Sequence, residues 1–307
     1  MQTRTAGSRF KQQWQRYEAT AGEITFLGVV AIWGVTFVFT RDALQVIGPF
    51  AYNTLRMTLG GATLAVLAGS QWRLVQRSYA GPVLVTGLVL FASYTAQAYG
   101  QQFTSASKAG FLTGTSVVYV PILSSLLLQR APDRFALLGV VLAFAGLTLL
   151  SVEGSLRELA LARGDLMIAL SGVGWAVYII SLTYYAPRVQ IMPFAALHVL
   201  VAAAGSGLFW LFTEPLAIPL RSVPLWIGVL TTGFLILGVG TSVQTWVTRL
   251  VSPTRVGLIT TMEPVFAAVA GRWAGEALTA RIILGGALIL AGMLVSELIG
   301  QRRRSSS

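Results

Sequence analysis

The 307-residue chain is 55% hydrophobic and only 11% charged, with a mean hydropathy of +0.71, against the roughly 25% charged residues of a soluble domain. That supply of charge excludes a mainly water-facing surface, so lipid is the solvent most of the chain meets. The net charge of +11 comes without a basic helix face or interleaved aromatics, which excludes a nucleic-acid surface, and zero Cys with a single His (His198) excludes disulfides, thiol chemistry and multi-His metal sites.

Apolar stretches of about 20 residues, enough to cross a bilayer, follow one another at 24–41, 49–70, 81–101, 107–129, 135–152, 165–186, 192–213, 224–248, 253–274 and 281–300. They predict an all-α integral membrane protein of ten transmembrane helices. The first stretch follows Arg4, Arg9, Lys11 and Arg16, but its apolar run is too long for a secretory signal and no cleavage site leads into a soluble domain. It is read as a retained helix behind a basic tail, residues 1–23.

Ten spans put both termini on one side, and positive charge says which. With the tails inside, the inner segments carry Arg4, Arg9, Lys11, Arg16, Arg73, Arg77, Arg130, Arg134, Arg188, Arg249, Arg255 and Arg302 to Arg304. The outer segments carry half as many: Arg41, Lys108, Arg157, Arg163, Arg221, Arg272 and Arg281. The expected location is a bacterial inner membrane with both termini cytoplasmic.

The chain also repeats itself. Pro49-Phe50-Ala51 returns as Pro193-Phe194-Ala195, Gln97, Ser105, Gly110 and Thr113 return as Gln244, Ser252, Gly257 and Thr260, and Gly139 and Gly146 return as Gly285 and Gly292. The offsets are 144, 147 and 146 by block, as expected of two diverged copies. The expected organisation is a first five-helix repeat over 24–152, an outer linker over 153–164, a second repeat over 165–300 and a C-terminal tail over 301–307. Five is odd, so the second copy enters the membrane inverted. Inverted repeats are a transporter device, with substrate held near the midplane between halves that rock against each other.

Polar and aromatic side chains at that depth are the candidate site. In chain order, Trp33 and Trp175 hold matching places in the first and sixth spans, away from the interfacial belt Trp favours. Tyr94, Gln97 and Gln101 form one stripe of the third span, and Thr241, Gln244 and Thr248 form the matching stripe of the eighth. Tyr119 and Tyr178 lie at similar depth. Substrate contact is set against helix–helix hydrogen bonding for the stripes and plain packing for the aromatics. Glu263, central in the ninth span, is either a proton carrier or a structural acid beside Pro264. Arg56 is expected to snorkel outward or pair with Asp42, with a substrate carboxylate as its alternative partner. His198 is expected to be a packed, peripheral residue.

Several motifs carry a family resemblance: Ile32-Trp33-Gly34 with Phe37-Val38, then Pro49 and Arg56, Ser107-Lys108-Ala109-Gly110-Phe111-Leu112-Thr113-Gly114, Val120-Pro121, Glu263-Pro264-Val265-Phe266, Gly275-Glu276, and Gly285 with Ile289-Leu290-Ala291-Gly292. In this order and spacing the chain resembles the EamA family of the drug/metabolite transporter superfamily over nearly its whole length. The resemblance implies a ten-helix carrier, often an exporter of amino acids or other metabolites, in which the second helix is peripheral. Two departures stand out: Arg130 occupies the place matching Glu276, and Pro121 is about a turn out of phase with Pro264. The helix-nine site is therefore not carried onto helix four.

The expected function is secondary transport of small organic solutes, outward being the direction the resemblance implies, by a monomer or homodimer among membrane lipids and without a cofactor. A channel or passive facilitator is the alternative, though no repeated filter sequence appears. A lipid-modifying intramembrane enzyme is the rival from another class, and no nucleophile or metal constellation can be assembled for it. A primary pump would need a phosphate-cradling loop that the chain lacks.

Overall fold

The computed structural model describes residues 6–103, 112–129, 132, 134–151, 163–266, 269 and 279–295, and they form helices joined by short turns. Lys108, Gly110, Arg130, Gly275 and Glu276 lie outside the described residues. Helix α1 runs over Ala6–Leu44, so the basic segment expected as a tail is helical from Ala6. Gln, Arg, Ala and Glu there are strong helix formers, and Trp14 Nε1 donates to Glu18 Oε1 one turn on, at 2.9 Å.

Helix α2, Pro49–Ala68, opens with Pro at its first position and stops where Gly69 takes φ 47°. Its amides at Phe50 and Ala51 donate to the two oxygens of Glu214, both at 2.9 Å. A carboxylate there satisfies orphan donors and meets the positive end of the helix dipole. Helices α3 (Ala80–Gln101), α4 (Ser116–Leu128), α5 (Arg134–Ser151), α6 (Arg163–Tyr185) and α7 (Ile191–Thr213) follow. Helix α8 is continuous over Val223–Leu250. Within it, α-helical Val223–Leu230 passes through a π-helical stretch, Thr231–Gly240, into α-helical Thr241–Val247.

Helix α9, Pro253–Thr260, covers the start of the stretch expected over 253–274; residues 263–266 are helical again, and 267, 268 and 270–274 lie outside the described residues. A turn at Thr261–Met262 follows it, with Met262 N bonded back only three residues, to Ile259 O at 3.0 Å. Pro264 has no N–H to offer the Thr260 carbonyl, so the ladder breaks there. Helix α10 covers Ala280–Leu294.

Five helices of the described residues are long and apolar enough to cross a membrane: Tyr17–Leu44, Arg77–Gln101, Gly164–Arg188, Ile191–Thr213 and Val223–Leu250. Helix α2 is also 20 residues long, but Asn53 and Arg56 lower its hydropathy.

Packing relies on small residues, because lipid gives no hydrophobic drive to bring helices together and close backbone approach must supply the contact. Helices α5 and α10 cross at two glycine sites. A Cβ on Gly146 would sit 2.4 Å from Gly285 O, and one on Gly292 would sit 2.5 Å from Gly139 O. Helix α2 meets the π-helical stretch just as closely, with Gly60 against Gly233 O and Gly233 against Arg56 O, each at 2.8 Å from the would-be Cβ. Helix α3 approaches α7 through Gly87, 2.8 Å by the same measure from His198 O. The other extensive pairings are α2 with α7, α3 with α6, α4 with both α6 and α9, and α1 with α8.

Candidate functional site

The structure divides the candidate residues between two groups. The first centres on Tyr94 of α3, which is buried and meets the Trp175 ring edge to face at 4.6 Å between centroids. Trp175 Nε1 donates to Gln97 Oε1 at 3.1 Å, so the polar stripe of α3 faces α6. The Trp175 ring also meets Tyr178 at 5.7 Å, and the Tyr178 hydroxyl lies 3.0 Å from His198 Nε2. His198 Nδ1 is 2.8 Å from Phe194 O. The 0% exposure of His198 agrees with the packed histidine expected, and its contact with Tyr178 puts it beside this group and not at the periphery.

Arg56 joins this group from α2, where it is 4% exposed. Its guanidinium carbon lies 4.3 Å from the Tyr94 ring centre and 4.8 Å from that of Tyr52. Its Nε donates to Asn53 Oδ1 at 2.9 Å. The expected pairing with Asp42 does not form. Asp42 instead accepts from its neighbour Arg41 at 2.9 Å, because adjacent residues at the helix end reach each other without leaving water, whereas Arg56 is turned into the bundle. Tyr52 ties the group to two further helices, its hydroxyl lying 3.0 Å from Thr232 Oγ1 and 3.2 Å from Thr40 Oγ1.

The second group holds Trp33 and Tyr119, which pack on the core of Phe26, Leu112, Val120, Ile179 and Met262. Trp33 meets Phe26 edge to face at 5.7 Å, and its buried Nε1 has no hydrogen-bond partner. Helix α6 runs between the groups, giving Ala176 and Ile179 to this core and Trp175 and Tyr178 to the other. Thr241 and Gln244 of α8 are buried at 5% and 3% exposure. Gln101 lies beyond Gln97 on α3, with its buried Oε1 unbonded. Glu263 is half-buried just after the α9 break and within electrostatic range of Tyr94. It makes no ion pair among the described residues.

Two features at one end of the bundle had no clear trace in the sequence. Glu23 of α1 and Arg255 of α9 form an ion pair at 2.8 Å, largely shielded from solvent. A polar cleft of about 480 Å³ is lined by Arg73, Gln76, Tyr79, Arg188, Gln190 and Arg249, where the α2–α3 and α6–α7 connections meet the end of α8. None of the candidate site residues lines it. Arginines at chain turns are visible in any sequence, but their convergence depends on which turns share an end of the bundle.

No group of three His, Cys, Asp or Glu that could hold a metal occurs among the described residues. Apolar helices around buried polar and aromatic side chains are the build of a multi-pass membrane protein. The sequence matches the EamA-like transporter family twice, over residues 20–152 and 162–298, and the chain belongs to that family. An uncharacterized transporter of Archaeoglobus fulgidus is 28% identical over 88% of this chain and 83% of its own. The uncharacterized transporter YoaV of Bacillus subtilis is 23% identical over 91% of this chain and 97% of its own. One solved crystal structure shares the fold, with a TM-score of 0.78 at 21% identity over 92% of this chain and 98% of that one.

Proposed function

We propose that this transporter is a secondary carrier of small organic metabolites, amino acids among them, working as an exporter by alternating access. In this reading ten spans form two inverted halves in an inner membrane, with both termini cytoplasmic. Substrate sits between the halves against Tyr94, Gln97, Gln101, Trp175, Tyr178, Thr241 and Gln244, with Trp33 and Tyr119 on the facing wall.

The observation that carries the reading is the joining of Arg56, Tyr94 and Gln97 from one half to Trp175 and Tyr178 from the other. Buried polar groups at membrane depth are costly and mark function by default. Support for paired halves comes from contacts that exchange into one another. Gly146 meets Gly285 while its repeat mate Gly292 meets Gly139. Gly87 of α3 meets α7 while Gly233 of α8 meets α2. Val83, Leu84, Thr86 and Gly87 match Val229, Leu230, Thr232 and Gly233 at an offset of 146, whereas Gln97 matches Gln244 at 147. The extra residue falls inside the π-helical stretch, which widens the turn to absorb it without shifting the faces beyond.

One asymmetry suits a carrier caught on one side of its cycle. Trp175 is bonded to Gln97, but the matching indole of Trp33 has no partner. Two half-sites that are made and broken in turn are what rocking halves require.

The test is transport in proteoliposomes, using compounds first found by thermal stabilisation of the purified protein. Gln97→Ala should cut transport about tenfold or more while the melting temperature stays nearly unchanged. Loss of stability in proportion to loss of transport would make the Gln97–Trp175 contact a packing feature.

A further inference from the structure

Arg56 is a buried cation that forms no ion pair among the described residues. Among the described residues, Asp42 pairs with Arg41, Glu214 is taken by the amides of Phe50 and Ala51, Glu23 holds Arg255, and Glu263 makes no ion pair with Arg56. A guanidinium stays protonated at any relevant pH, so its charge must be met by something else. The rings of Tyr52 and Tyr94 are close enough to stabilise it through their π faces. Asn53 takes the Nε edge. Among the described residues, none accepts a hydrogen bond from its Nη groups.

A second donor lies beside it. Asn53 is fully buried, its Oδ1 is used by Arg56, and its Nδ2 has no hydrogen-bond partner among the described residues. Two adjacent side chains, each more than nine-tenths buried, thus hold unmet donors and no unmet acceptor. Packing alone would not retain such a pair, since unmet buried donors are costly and an apolar side chain would fill the space. A ligand that completes the pair must bring acceptors, and a planar carboxylate matches the guanidinium fork with two parallel hydrogen bonds.

Resting on the proposed transport site, we propose that Arg56, with Asn53 Nδ2, binds the carboxylate of the substrate, making this a carrier of small organic acids or of zwitterions held by their acid end. The Tyr94 and Trp175 rings, T-shaped to each other beside the guanidinium, receive the rest of the molecule. Helix α2 is then a wall of the site, and the close glycine contact of Gly233 with the Arg56 carbonyl fixes the depth of the cation.

The test compares acids with amides of the same shape on the full chain in lipid nanodiscs: phenylacetate against phenylacetamide, and isovalerate against isovaleramide. For at least one pair the acid should bind about tenfold more tightly than the amide, read by calorimetry or by the shift in melting temperature. Arg56→Gln should erase that difference and Arg56→Lys should keep part of it, since the point charge survives without the fork. The ligand-free melting temperature of each variant checks folding. Equal binding of acid and amide by the wild type, a preference that persists in Arg56→Gln, or no binding by any member of the panel overturns the assignment. Amides that bind equally to acids but are lost in Trp175→Phe would leave the transport-site reading standing and remove Arg56 from it.

Discussion

At Glu263, position and surroundings bear on energetics together. A half-buried acid with no ion-pair partner among the described residues follows directly on the α9 break, where the Thr260 carbonyl lacks the N–H that Pro264 cannot supply. If the acid carries a coupling proton, one proton crossing 100 mV provides about 2.3 kcal/mol, enough for a solute gradient of about fiftyfold. Glu263→Gln should then abolish accumulation against a gradient but spare downhill exchange, because the neutral amide is returned without unloading. Proteoliposome transport with and without an imposed pH gradient checks this, and wild-type transport that ignores the gradient returns Glu263 to a structural role. The polar side chains were legible one by one, since each stands out from an apolar span. Their partners were not. For Arg56 the sequence leaves outward snorkelling, Asp42 or a substrate carboxylate open, because charge attraction is the pairing visible along a sequence. The cation–π contacts with Tyr52 and Tyr94 and the bond to Asn53 depend on how α2 is rotated against α3.

Helices are joined here through backbone approaches that admit no side chain. A Cβ at Gly146 or Gly292 would stand 2.4 or 2.5 Å from a carbonyl oxygen of the facing helix, closer than carbon and oxygen can pack, and backbone cannot rotate away as a side chain can. Gly146→Ala and Gly292→Ala should each destabilise the protein by about 1–3 kcal/mol through overpacking. The double variant should cost less than the sum, because either substitution already pushes α5 from α10 and relieves the other contact. Melting temperatures of the three variants in detergent test this, and strict additivity would mean the two contacts yield independently. The sequence shows these glycines only as matches between the two copies, and the choice of partner could not be read there, since small residues are spread through the apolar stretches. The π-helical stretch of α8 is a further case. It lies where the internal offset changes from 146 to 147, a slip that a list of matches shows and only the hydrogen-bond pattern explains.

For the whole molecule, the proposed orientation makes a direct claim about ends. The connections carrying Arg73, Arg188 and Arg249 gather at one end of the bundle around the polar cleft, and the Glu23–Arg255 pair ties α1 to α9. In the proposed orientation both lie on the cytoplasmic side, where positive charge is retained. Reporter fusions at the C-terminus and at the connection near residue 189 should therefore report cytoplasm, and one near residue 218 should report the outside. A C-terminus found outside would overturn the even number of spans and the inversion with it. Composition alone determined that lipid is the main solvent, because too few charges exist to cover a water-facing surface, and motif order alone pointed to the EamA family. Helix type was equally determined, since a bilayer leaves apolar segments no other way to satisfy their backbone. What only the tertiary structure decided is which polar groups meet: Trp175 with Gln97, Tyr178 with His198, Arg56 between two tyrosines, and the Trp33 indole N–H with no acceptor among the described residues. In a spanning helix nearly every residue is apolar, so periodicity does not single out the face that turns inward, and partner choice rests on crossing geometry between helices far apart in the chain.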